Sequence, residues 1–144
     1  MRIRTHFISW IVASVVMCTM SYIWHGVFLN DFARISYPIE TFLVLFAIVY
    51  LAIGLALTLL HSFLHLKLTP IVKGIVVGAI FGFFVYLIAF VFGVTFYASP
   101  KLEYVLMDFT WQMIEQGFGG LVGGYVFSYY QRRRLFAASF IKND

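Results

Sequence analysis

Charge is scarce in this chain. Of its 144 residues, 11% are Asp, Glu, Lys or Arg and 62% are hydrophobic, whereas a soluble domain carries roughly a quarter of its residues as charged side chains. So few charges cannot cover a water-facing surface, and the excess apolar surface calls for lipid as solvent. Cysteine is nearly absent. Cys18 stands alone, which excludes an intrachain disulfide and any CxxC metal or redox site. Proline occurs only at Pro38, Pro70 and Pro100, each between long apolar runs. Alternation of period two is not sustained, so the chain does not read as a membrane β-barrel. No P-loop, dinucleotide fingerprint or nucleophile elbow is present. The sequence therefore specifies no enzyme and no cofactor. The net charge is +4, but the basic residues flank apolar runs and do not alternate with aromatics. They read as topology signals against anionic lipid headgroups, not as a nucleic-acid surface.

What is present is four apolar runs: Phe7 to Leu29, Thr41 to about Phe63, Gly74 to Ser99, and about Tyr104 to Gln131. Each has the length a membrane-crossing helix needs, about 20 residues, and helices satisfy their own backbone groups where lipid cannot. The short connections predict antiparallel neighbours. The expected fold is thus a single all-α transmembrane domain spanning 1–144, a four-helix up-down-up-down bundle with a short basic tail over 132–144. The first run follows Arg2 and Arg4 as a signal peptide would, but it is longer than a signal core and no small-x-small site follows, so it reads as a retained helix.

The basic residues divide unevenly. Arg2, Arg4, Lys67, Lys73, Arg132, Arg133, Arg134 and Lys142 fall on one side, and only Arg34 and Lys101 on the other. The positive-inside rule then puts both termini in the cytoplasm, and a bacterial inner membrane is the expected location. Tyr22, Trp24, Tyr37, Tyr97 and Tyr104 near the outer interface, with Tyr129 and Tyr130 near the inner one, fit aromatic belts.

Two sets of residues invite a role. Gly74, Gly78 and Gly82 recur every fourth position in the third run, as do the pairs Gly119–Gly123 and Gly120–Gly124 in the fourth. Spacing of four puts small residues on one face, where backbones pack closely. That face serves packing within the chain, or else homo-oligomerisation or docking into a larger membrane complex. The second set is polar. Glu115 lies deep in the fourth run, with Asp108 seven residues earlier on the same face and Trp111 and Gln112 between them. His25 and Glu40 lie at a similar outward depth. Converging, these side chains would form an outward-facing pocket for a proton, a cation or a cationic solute. Equally, Glu40 and Asp108 suit helix N-termini, with Glu115 paired for structural reasons. His61 and His65 form an HxxxH pair that is a weak candidate for metal or haem.

The stretch Tyr22-Ile23-Trp24-His25-Gly26-Val27-Phe28, the glycine-rich Lys73-Gly74 to Gly82, and Met107-Asp108-Phe109-Thr110-Trp111 to Gly124 together resemble small uncharacterised four-helix bacterial inner-membrane proteins. His25 after Trp24 departs from the aromatic pattern of that group. The resemblance implies the four-helix fold and carries no activity. The expected role is that of a non-enzymatic protein acting by helix packing, as a homo-oligomer or accessory subunit in contact with lipid. The alternatives are a small transporter or proton- or cation-coupled permease using the polar cluster, and a haem or metal protein using His61 and His65.

Overall fold

The computed structural model describes residues 2–34, 38–96 and 101–141. Tyr37, Tyr97 and Lys142, used above as belt and topology residues, lie outside the described residues. The described chain is helical: α1 (Arg2–Ser21), a π-helical continuation (Tyr22–Phe28), a 3₁₀ turn (Asp31–Arg34), α2 (Ile39–Phe63), α3 (Pro70–Phe96) and α4 (Leu102–Ile141).

Three segments are long and apolar enough to cross a membrane: Ile3–Phe28, Ile39–Phe63 and Pro70–Val91. The shortest has 22 residues, or about 33 Å at the helical rise, which matches the hydrocarbon thickness. α4 is not among them. Asp108, Gln112, Glu115, Gln116 and a run of glycines dilute its hydropathy. The reason lies in its surroundings: α4 packs along α3 on one side and α1 on the other, so much of it contacts protein.

The contacts explain this order of packing. A Cβ at Gly74 would meet the Gly120 backbone, one at Gly78 the Gln116 backbone, one at Gly82 the Gln112 carbonyl, and one at Gly124 the Pro70 carbonyl. These pairs run in opposite directions along the two chains, so α3 and α4 are antiparallel with backbones in direct apposition. Only glycine permits that approach. The other glycine pair serves a different neighbour: Gly119 faces Met17 and Gly123 faces Ser9, both on α1. Tyr86 fastens the α3–α4 pair by donating its hydroxyl to the Val105 carbonyl at 2.8 Å. On the other flank, Trp10 Nε1 donates to the Leu51 carbonyl at 2.7 Å, joining α1 to α2.

α1 buries Thr5, Ser9, Ala13, Met17 and Ser21, one every fourth residue, with Ser14 beside them. Such an i±4 row is a ridge that packs into a neighbouring groove; here Thr5, Ser9 and Ser21 make it polar and Ala13 and Met17 make it apolar. Leu, Ile, Val and Phe instead crowd the exposed faces of α2 and α3, among them Val44, Ile48, Leu55, Ile80, Phe84 and Ile88. Exposed apolar surface of this extent, on helices long enough to cross a bilayer, is compatible with a membrane. The interior combines glycine, serine, threonine and a buried carboxamide and carboxyl with a small apolar core of Ala13, Met17, Tyr50, Leu57 and Val77, while much of the exterior is aliphatic.

Candidate functional site in the helix interior

The site starts where α1 changes pitch. From Tyr22 to Phe28 the backbone widens to a π-helix, and Leu29 N donates to the Trp24 carbonyl at 2.9 Å, five residues back. Wide turns of this kind shift the register of the side chains that follow and are frequent at functional sites. The segment carries Trp24 and His25. It stops at Asn30, whose φ of 53° is left-handed, a conformation that Asn tolerates at a helix end. The chain then turns back, and Phe32 packs its ring over Gly26.

That reversal brings Asp31 to His25. The imidazole Nδ1 donates to Asp31 Oδ2 at 3.0 Å. A carboxylate on Nδ1 fixes the orientation of the ring. His25 lies close enough to interact electrostatically with both Asp108 and Glu115. Trp24 stacks on Trp111 of α4 with centroids 4.2 Å apart and planes 10° from parallel. The stack ties the π-helical segment to α4 between the levels of Asp108 and Glu115.

Glu115 is the deepest member, with 0% of its surface exposed, and so is its neighbour Gln116. The Tyr50 and Ser21 hydroxyls and the Trp111 indole face the Glu115 carboxyl, and Tyr50 also faces Ser21. Gln116 Nε2 donates to Glu115 Oε1 over a long 3.4 Å. These neighbours do not exhaust the site. Asp108 Oδ1, Glu115 Oε2, Gln116 Oε1, Trp24 Nε1 and Trp111 Nε1 are buried without a hydrogen bond of good geometry. Native interiors leave few such atoms, and each calls for an explanation. Here several fall in one cluster that mixes acceptors and donors, the composition that suits a hydrated proton or a small cation with its water. No Lys or Arg pairs with Glu115 among the described residues.

Four of the residues singled out in the sequence therefore meet: His25, Asp108, Trp111 and Glu115. Glu40 does not join them. It is exposed in the first turn of α2, where the helix dipole favours an acid. Gln112 contributes its backbone carbonyl to the close approach of Gly82. The region is not an open pocket at Glu115, which is sealed between helices. His61 and His65 do not share a helical face, because α2 ends at Phe63 and Leu64 is extended. His65 is exposed. His61 is buried, with Nε2 donating to the Pro70 carbonyl at 3.0 Å and its ring stacked 4.6 Å from Phe127. Among the described residues no three His, Cys, Asp or Glu side chains gather as a metal site.

Sequence reasoning passed over Asp31, Trp24, Tyr50, Ser21 and Gln116 as members of the site. Two had a signal. Ser21 continues the small polar row of α1, and Tyr50 is a hydroxyl-bearing ring in mid-span, away from the interfaces where tyrosines gather. Asp31 had none, since its placement depends on the π-helical register and the left-handed Asn30. No family model, curated protein or solved structure matches the chain.

Proposed function

We propose that this chain is a four-span membrane protein that carries protons, or a small cation, along its polar interior, with Glu115 as the binding carboxyl. One observation carries the reading: Glu115 is wholly buried, has no Lys or Arg partner among the described residues, and keeps one carboxyl oxygen without a hydrogen bond of good geometry, close to other such polar atoms. An acid in that position needs a proton, a cation or water, and intramembrane acids mark ion and proton paths. The rest of the interior supports it. Ser21, Ser14, Ser9 and Thr5 extend the polar seam along α1 toward buried Thr58 and His61 at the far end. The seam is interrupted at Met17, whose thioether fills the layer against Gly119.

The glycine faces favour this reading over assembly by helix packing. Both are occupied by helices of the same chain, so neither remains for a second copy or a larger complex. In the proposed topology α4 is the fourth span, sheltered by α1 and α3, and the bundle runs up-down-up-down. The Asp31–His25–Asp108 end faces outward and the Arg132–Arg133 end faces the cytoplasm, as the charge division suggests.

Proteoliposomes enclosing a pH-sensitive dye test the function: an imposed gradient should collapse faster with the protein than in empty vesicles, and equal rates would sink it. Met17→Ala should speed the collapse severalfold by opening the interrupted layer, while costing about 2–3 kcal/mol of stability for the cavity. The topology has its own check. With Cys18 replaced, a cysteine at position 34 should react with an impermeant maleimide in intact cells and one at position 139 should not. Labelling at 139 would reverse the orientation.

A further inference from the structure

At the helix ends opposite the Asp31–His25–Asp108 cluster, all four helices border a cavity of about 640 Å³. That volume lies within the range of small-molecule sites, roughly 300–1,000 Å³. Its wall is divided. One part is polar and basic, with His6, His61, Ser62, Lys73 and Tyr130. The other is apolar, with Leu59, Phe63, Leu66, Leu68 and Phe127.

Among the described residues no carboxylate is in the wall. Asp31, Glu40, Glu103, Asp108 and Glu115 are the acids among the described residues, and all lie toward the other ends of the helices. Lys73 is half-buried there and makes no ion pair among the described residues. A partly desolvated ammonium calls for an anion or several acceptors. The surroundings add positive potential, because Lys73 lies in the first turn of α3 and the cavity meets that helix at Pro70, the positive end of its dipole. His61 is held rigid by its bond to Pro70 and its stack on Phe127, so the basic wall and the apolar wall keep a fixed relation.

We propose that this cavity binds an amphiphilic anion, with its negative head group at Lys73 and its apolar chain along Leu66, Leu68 and Phe127. A lipid from the surrounding membrane and a free amphiphile both have that chemistry. The site is separate from Glu115 and stands whether or not the protein conducts protons.

Octyl phosphate is the probe, and native mass spectrometry of the full chain in nonionic detergent counts the molecules bound. One octyl phosphate should bind per chain. Lys73→Gln and Lys73→Ala should weaken binding roughly tenfold or more, with melting temperature and helical circular dichroism as in the parent. Lys73→Arg should restore it. Inorganic phosphate alone and octyltrimethylammonium should not bind comparably. Added phosphatidylglycerol identifies the source: displacement of octyl phosphate points to a membrane lipid, and no displacement to a free amphiphile, either result being consistent with the site. Absence of octyl phosphate binding, unchanged binding in the folded Lys73→Gln protein, or equal binding of the cationic probe or of inorganic phosphate would overturn the proposal.

Discussion

Glu115→Gln should leave a folded protein that no longer accelerates the collapse of a pH gradient. The carboxamide keeps the shape of the side chain and can still accept from Tyr50 and Ser21, which face it. It cannot exchange a proton or neutralise a cation. Glu115→Ala should behave differently, because it removes a fully buried side chain and leaves Gln116 Nε2 without the acceptor it holds at 3.4 Å. The cavity and the stranded donor together should cost about 2–4 kcal/mol, seen as an earlier melt in detergent. Proton flux and melting temperature measured on both variants separate the roles. A purely structural Glu115 predicts normal flux in the Gln variant, and that result would remove the carboxyl from the mechanism. A Gln variant that fails to fold would point to a carboxyl whose proton or bound cation is needed by the bundle itself.

The helical character of the chain and its three segments long and apolar enough to cross a membrane were legible because they rest on bulk solvation, which length and composition express directly. The fourth run was read from the sequence as a span like the others, but α4 is not among the segments apolar enough to cross a membrane, because Asp108, Glu115, Gln116 and the glycines that let it pack against α1 and α3 dilute its hydropathy. The glycine spacing announced close packing but not the partner. Only the three-dimensional contacts separate the Gly120–Gly124 face of α4, which meets α3, from its Gly119–Gly123 face, which meets α1. The site was half legible for a related reason. Intramembrane acids stand out in any reading, whereas Asp31 reaches His25 only through a π-helical register change and a left-handed Asn30. Those depend on local backbone geometry that no residue pattern specifies.

A single methyl group at Gly74 should cost as much stability as removing a buried side chain. In Gly74→Ala the new Cβ would lie against the Gly120 carbonyl. Two backbones, not a flexible side chain, would have to move apart, and α3 and α4 share their most extensive packing along this line. Gly120→Ala should do the same from the other side, since its Cβ would meet the Gly74 carbonyl. Each should cost about 3 kcal/mol, the upper end of overpacking penalties, because dispersion between close backbones is what holds membrane helices together. Gly117→Ala is the control on the same helix. The nearest atom to its Cβ is the Ile75 carbonyl oxygen at 3.9 Å, an ordinary contact, and alanine favours the helix over glycine by about 0.5–1 kcal/mol. That variant should melt at or slightly above the parent temperature. Thermal unfolding in detergent by circular dichroism ranks the three. If Gly74→Ala and Gly117→Ala melt together, the backbone apposition of α3 and α4 does not hold the molecule. The glycine faces would then be free for another partner.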